Sequence, residues 1–325
     1  MKVTYNWLRE FVDIKILPEV LAEKLTMAGL EVVSLERFSD DWVFEIEVTT
    51  NRPDWLSVIG IAREVAAITG KKFKLPQEIA VKVKSKKEKV KNVKHKPLEI
   101  KIEDKTGCLR YVGRIIDNIK IGPSPEWMRK KLESVGLRPI NNIVDITNYL
   151  LFETGQPMHA FDYDKIEEGM IIVRRAKSEE KIVTIDAEER ILDRSILVIA
   201  DKKRAVAVAG IMGGKDTEVS EATKTVLLES ACFEPVVVRK GSKKLALATD
   251  SSYRFERGVD LSTVLTASER AAKLIKEFAS SLGAEVGGVL KDTGTKVQKE
   301  RKISLSSEKV SSVLGKKISL SEIKK

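Results

Sequence analysis

The run Phe44-Glu45-Ile46-Glu47-Val48-Thr49-Thr50-Asn51-Arg52-Pro53-Asp54-Trp55-Leu56-Ser57 changes its period partway along, and that change decides the fold class. Phe44, Ile46 and Val48 alternate with Glu45 and Glu47, which gives a strand one apolar and one wet face. Asn51-Arg52-Pro53-Asp54 breaks the alternation. Beyond it Leu56, Ile59, Ala62, Val65 and Ala66 recur at helical spacing, with Asp54 as the expected N-cap and Gly70 as the stop. Upstream, Asn6 suits the cap of a short helix carrying Trp7, Leu8, Phe11 and Val12. Pro18 suits the first turn of another, with Leu21, Leu25 and Met27 inward and Gly29 at its end. Residues 1–75 therefore read as a small α+β domain.

The Lys-dominated stretch 76–97 has few large apolar residues. It reads as a basic linker, with a short strand at Val81 and Val83 as its only regular element; it is either a solvated tether or an arm that contacts phosphates. Residues 98–290 return to a mixed pattern, a larger α/β domain with antiparallel strands. Strands are expected at 109–117, 171–174, 182–185, 196–200 and 205–209, with Asp201-Lys202-Lys203 as a turn. Helices are expected after Ser124-Pro125, carrying Trp127, Met128, Leu132 and Val135 and closed by Gly136, and from Ser262 to about Ser280, with Leu265, Ser268, Ala271, Leu274, Ile275 and Phe278 on one stripe. In 291–325, Ser306 caps a helix with Val310 and Leu314 inward, and Ser319 with Glu322 forms a capping box. A helix that ends one turn after its box is unstable alone, so this last part reads as the truncated start of a helix-rich module. The whole chain is thus α+β.

The chain has 325 residues, more than one domain's usual length, and a formal net charge of +10, which favours an anionic partner, nucleic acid foremost. Cys108 and Cys232 are far apart and form no CxxC pair, which speaks against a disulfide framework or a zinc site and fits a reducing cytoplasm. The start is not a signal peptide, and no apolar run approaches the roughly 18 residues of a membrane helix.

Several irregular motifs occur in order: Met1-Lys2-Val3-Thr4-Tyr5-Asn6-Trp7-Leu8, Thr26-Met27-Ala28-Gly29-Leu30-Glu31-Val32, Asn51-Arg52-Pro53-Asp54-Trp55-Leu56-Ser57, Arg138-Pro139-Ile140-Asn141-Asn142-Ile143-Val144-Asp145, Gly155-Gln156-Pro157-Met158-His159-Ala160-Phe161-Asp162, Gly210-Ile211-Met212-Gly213-Gly214, Leu228-Glu229-Ser230-Ala231, and Thr249-Asp250-Ser251-Ser252-Tyr253-Arg254-Phe255-Glu256-Arg257-Gly258. The series resembles the β-subunit of bacterial-type phenylalanine–tRNA ligase over nearly the whole chain. It departs from that family in two ways. Ser39-Asp40-Asp41 runs straight into the next strand where the family inserts an oligonucleotide-binding barrel, and the family continues into a catalytic-like core and an anticodon-binding domain.

The resemblance implies that 98–290 is an editing domain, which hydrolyses tyrosine wrongly esterified to tRNA(Phe). An apolar pocket for phenylalanine rejects one added hydroxyl poorly, and a second site then removes the error. It implies His159, Glu229, Gly213 and Gly214 as catalytic residues: Glu229 for the tyrosyl hydroxyl, His159 to orient a water or the terminal ribose, and the glycines as amide donors to the ester. Thr249 and Ser251 match pocket-lining positions, where the family often has Ala at the second. Arg138 and Asn142 match positions at the mouth that suit the tRNA end. Other readings stay open: a salt bridge from Glu229 to Arg254 or Arg257, a structural His159, an ordinary turn at the glycines, a helix cap at Asn142, a surface ion pair at Arg138. Arg254, Glu256, Arg257 and Asp260 read as an ion-pair network, and His95 as solvated. No metal site and no ATP motif are present in the sequence. The family's ATP and Mg serve the α-subunit, so the resemblance implies no cofactor here. The partners it implies are tRNA(Phe) and that α-subunit, without membrane or DNA. The competing function is a non-catalytic scaffold that holds tRNA or helps assemble the synthetase.

Overall fold

The computed structural model describes residues 1–75, 97–280, 289–295 and 302–324. The linker at 76–96, with its strand at Val81 and Val83 and with His95, lies outside the described residues.

The N-terminal unit is a three-stranded antiparallel sheet with three helices: β1 (Lys2–Thr4), α1 (Tyr5–Arg9), α2 (Pro18–Met27), β2 (Val32–Phe38), β3 (Asp41–Ile46) and α3 (Val58–Thr69). β2 and β3 form a tight hairpin in which Phe38 faces Asp41, with Ser39 left-handed at φ 54°. Two helix starts differ from the sequence reading. Thr4, not Asn6, caps α1, its Oγ1 accepting from the Trp7 N–H at 3.1 Å. Ser57, not Asp54, caps α3, its Oγ accepting from the Gly60 N–H at 3.0 Å. Pro53 starts a 3-10 turn over Pro53–Leu56, so the α-helix begins only after an extended Ser57, and Asp54 pairs with Arg52 instead. Met27 is 82% exposed rather than inward, because α2 needs only Leu21 and Leu25 to cover the sheet.

The larger part is built from two packed sheets and a helical layer. It comprises β4 (Glu99–Ile102), β5 (Cys108–Ile116), α4 (Glu126–Ser134), α5 (Asn142–Thr154), β6 (Met158–Asp162), β7 (Met170–Arg175), β8 (Glu180–Val183), β9 (Glu189–Leu192), β10 (Leu197–Ala200), β11 (Ala205–Val208), β12 (Met212–Gly213), β13 (Val226–Phe233), α6 (Pro235–Leu245), α7 (Asp250–Phe255), α8 (Thr263–Phe278) and β14 (Leu290–Gly294). One sheet runs β12-β11-β10-β7-β4, antiparallel except for the β4–β7 pair; the other runs β14-β5-β13-β6, all antiparallel. β8 and β9 make a separate hairpin. The mixed α+β class and the expected strands are present. Asp201 makes the anticipated turn, its Oδ1 accepting from the Lys203 and Arg204 N–H groups.

β13 is buried along its whole length, so its alternation divides two cores rather than core from water. Val226 and Leu228 face the helical layer of α4, α5 and α8; Leu227, Ala231 and Phe233 face the five-stranded sheet. On α8 the expected Ser268, Ala271, Leu274 and Ile275 are buried, and the stripe begins at Val264 and Ala267 rather than at Leu265. The helical core also contains Trp7, Leu8, Phe11 and Trp55 of the N-terminal unit, and Trp7 stacks on Tyr149 of α5 with ring centres 5.2 Å apart. Arg254 fastens the same junction: only 2% exposed, it donates from Nε to the Leu56 carbonyl at 3.1 Å and lies over the Phe152 ring. In the C-terminal stretch, α9 (Ser307–Leu314) and α10 (Leu320–Ile323) have the predicted caps, the second a full capping box, but Val310 and Leu314 are not buried among the described residues.

Gly60 shows how tightly α3 meets its preceding turn. A Cβ there would fall 1.7 Å from the Asp54 carbonyl oxygen. Gly60→Ala is therefore expected to lower stability by more than about 2 kcal/mol, read as a drop in the urea midpoint without a change in slope.

Candidate active site

The candidate residues reach one place because β13 lies between β5 and β6. In that register Glu229 is opposite His159 on one side and Gly113 on the other. Directly opposed residues share a face of the sheet, so Glu229 and His159 both point toward the five-stranded sheet, next to each other. Between the sheets at this level is a cavity of about 270 Å³. This is near the lower end of small-ligand clefts, roughly 300–1,000 Å³. Its walls are largely aliphatic. Gly213 of β12 and Thr249 and Ser251 at the start of α7 complete it.

Glu229 is 5% exposed, and its Oε2 accepts a hydrogen bond from the Tyr111 hydroxyl at 3.3 Å. Burial pushes its carboxyl up to about 8, against the smaller opposing effect of that bond. The group is thus largely protonated at neutral pH. The salt-bridge alternative is not realised: Arg254 pairs with Asp250 and Arg257 with Glu256. Asp260, grouped with them by sequence, accepts from the Ser262 N–H ahead of α8.

His159 is neutral at ordinary pH, since burial pushes its imidazole down to about 4 despite the nearby Glu218 carboxylate. Its ring meets Phe161 edge-on at 4.5 Å. Nε2 is out of contact with solvent and has no hydrogen-bond partner among the described residues. The ring lies directly on Gly213, where a Cβ would fall 2.4 Å from His159 Cε1 and 2.6 Å from Nε2. Gly213 is a glycine because the imidazole occupies the place of a side chain.

Other candidates serve different ends. Gly214 is turned away from the cavity, and its N–H donates to the Val206 carbonyl at 2.8 Å, so it is not available to an ester. Gly214 follows the end of β12 and leads into a 3-10 turn, and only Gly213 of the pair lines the cavity. Asn142 is 3% exposed and tied to backbone, its Nδ2 donating to the Lys120 and Phe278 carbonyls and its Oδ1 accepting from the Gly122 N–H. It holds loops together; the helix cap is Asn141, which accepts from the Ile143 and Val144 N–H groups. Arg138 is exposed and outside the cavity wall, two residues before Ile140, which lines it. Thr249 lines the cavity, but its hydroxyl caps α7 and donates to the Ile211 carbonyl at 2.9 Å, fixing the loop before Gly213. Ser251 lines the wall. Sequence reasoning missed Asn148. With Val144, Thr147 and Leu151 it forms the cavity-facing stripe of α5, and a stripe that mixes Thr and Asn into an apolar helix was the available signal.

The cavity of this two-sheet domain, with a buried carboxyl and an imidazole side by side on its wall, has the dimensions to hold a group about the size of an amino acid. Residues 107–280 match the B3/4 domain family, and the chain belongs to that family. It is also similar to curated β-subunits of phenylalanine–tRNA ligase. It is 44% identical to that of Fusobacterium nucleatum over 287 residues, 88% of this chain and 34% of the relative. It is 46% identical to that of Carboxydothermus hydrogenoformans over 277 residues, 85% and 33%, and 40% identical to that of Rhodopirellula baltica over 329 residues, 100% and 46%. The resemblance carried by the motifs is borne out, and the chain spans less than half the length of these relatives. Among solved structures, an N-terminal fragment of the phenylalanyl-tRNA synthetase β-subunit from Pyrococcus horikoshii aligns with 100% of this chain and 87% of its own, at 16% identity and a TM-score of 0.46.

The raised Glu229 carboxyl sets a pH dependence. Between its ordinary value of 4.5 and about 8 the folded protein holds a proton that the unfolded chain has released. Stability therefore falls as pH rises through that window, and levels off above it. Glu229→Gln removes the effect. Relative to the parent, the variant is expected to gain on the order of a few kcal/mol between pH 5 and pH 8, measured by urea unfolding. In the same assays Gly213→Ala is expected to cost about 1–3 kcal/mol and, by nuclear magnetic resonance, to shift the His159 ring signals, because the ring must leave its seat.

Proposed function

We propose that this cavity is an editing site, which takes the tyrosyl group of a mischarged Tyr-tRNA(Phe) and hydrolyses its ester. The observation that carries the reading is the buried Glu229 carboxyl at the cavity wall, bonded on one oxygen only among the described residues and facing His159 across the sheet. A buried polar group with bonding capacity to spare has little packing value, but it distinguishes a phenol from a phenyl ring. The tyrosyl hydroxyl satisfies it, and the phenylalanyl group leaves it unpaired, a difference of about 1–3 kcal/mol. The aliphatic walls accept the ring of either amino acid.

For the ester itself, neutral His159 is an orienting group rather than a proton reservoir. Its Nε2 reaches a ligand only if the ring lifts off Gly213, so the water that attacks the ester is activated with help from the free hydroxyl of the terminal ribose. Arg138, exposed beyond the Ile140 edge, meets the phosphates of the tRNA end, in keeping with the chain's net charge of +10. The similarity to ligase β-subunits supports an α-subunit as the second partner, with aminoacylation carried out there.

The test is deacylation of Tyr-tRNA(Phe) by the purified chain, with Phe-tRNA(Phe) as the control. Hydrolysis well above the spontaneous rate is expected for the tyrosyl ester, and Glu229→Ala is expected to lower it at least tenfold. No hydrolysis above background, with or without added α-subunit, would sink the proposal.

A further inference from the structure

Tyr111 stands one strand behind the cavity. In the β5–β13 register it is opposite Ala231, while Glu229 is opposite Gly113. Tyr111 and Glu229 are therefore diagonal neighbours on one face of the sheet, a separation that an aromatic side chain spans. On the β5 side the position directly opposite is Gly113, which offers the carboxyl no side chain. A Cβ at Gly113 would fall 2.8 Å from Ile100 Cδ1 and 3.3 Å from Leu98 Cδ2, so aliphatic side chains fill that space. Tyr111 is 0% exposed, and a buried phenol hydroxyl needs a partner. It finds one in Glu229 Oε2, at 3.3 Å, and no other hydrogen bond reaches that carboxyl among the described residues.

We propose that Tyr111 is the positioning residue of this site: by donating to Oε2 it leaves Oε1 to the cavity and makes Glu229 a hydrogen-bond donor to an acceptor oxygen at the far end of a bound aromatic side chain. The inference rests on reading the cavity as a tyrosyl site. Its logic is one of proton count. A neutral carboxyl has one proton. With Oε2 already accepting, that proton belongs on Oε1, where it meets the phenol oxygen. Burial keeps both partners in the neutral forms this requires, holding the Tyr111 hydroxyl well above its ordinary range and the Glu229 carboxyl above its own. A phenylalanyl group offers no acceptor there, so discrimination depends on which oxygen faces inward, and Tyr111 decides that.

Tyr111→Phe removes one oxygen and keeps the packed ring. Two measurements on the full chain decide the matter. The first follows the Glu229 carboxyl carbon by 13C resonance through a pH titration, the signal assigned by its loss in Glu229→Gln. The Tyr111 bond favours the ionised carboxylate, so the midpoint is expected to move to higher pH in Tyr111→Phe. Fluorotyrosine at position 111, a stronger donor with the side chain intact, is expected to move it lower and serves if the first variant does not fold. An unmoved midpoint overturns the proposal. The second compares kcat/KM for the two esters. Loss of one such bond is expected to lower tyrosyl deacylation roughly five- to tenfold and leave Phe-tRNA(Phe) unchanged. An equal loss on both assigns Tyr111 a purely structural role and also overturns the proposal. If the parent protein hydrolyses neither ester, the editing reading falls, and the titration still decides whether Tyr111 governs Glu229.

Discussion

The cavity depends on one pairing: β13 held between β5 and β6 in a register that sets Glu229 against His159. A slip of one residue would turn Glu229 into the helical core and bring Leu228 to the cavity. The register is held by the two hydrophobic clusters on either side of β13, because both faces of the strand are buried and neither tolerates exchange. The placement of a titratable pair thus follows from aliphatic packing, with Leu227, Ala231 and Phe233 on one side and Val226 and Leu228 on the other.

That packing also sets the chemistry. In water near pH 7 the carboxyl would be ionised and the imidazole partly protonated. Between two sheets, burial disfavours the charged form of each, so Glu229 retains its proton and His159 lacks one. The result is a neutral pair suited to reading hydrogen-bond donors and acceptors on a ligand and poorly suited to balancing charge. Salt bridges are kept elsewhere, as between Arg254 and Asp250 within α7, and the same guanidinium joins the larger part to the N-terminal unit by donating to the Leu56 carbonyl.

Much of this could be read in the sequence, and the misses have definite causes. The alternation before Asn51 and the helical spacing after it gave the α+β class. Ordered motifs brought His159, Gly213, Glu229, Thr249 and Ser251 to one cavity although they are distant along the chain. Errors arose between neighbours. Gly213 and Gly214 look alike in a motif, but the first ends a strand at the cavity and the second, bonded to the Val206 carbonyl, leads into a turn away from it. Asn141 and Asn142 look alike but differ by about 100° around a helix, so one caps and the other is bonded inward. The caps at Thr4 and Ser57 were hidden because Asn6 and Asp54 are equally good capping residues, and only the backbone of the preceding turn distinguishes them. Tyr111 was invisible for a deeper reason: its importance lies in a diagonal contact across a register that no local pattern encodes.

Helix α5 has two duties at once. Val144, Thr147, Asn148 and Leu151 form one wall of the cavity, while Tyr149, between them, stacks on Trp7 near the start of the chain. The wall is therefore supported from outside the domain it belongs to. Warming or substitution that loosens the first helix would blur the dimensions of a chamber built from residues far downstream, so the fidelity of any selection by size is underwritten by an aromatic stack that never meets the ligand.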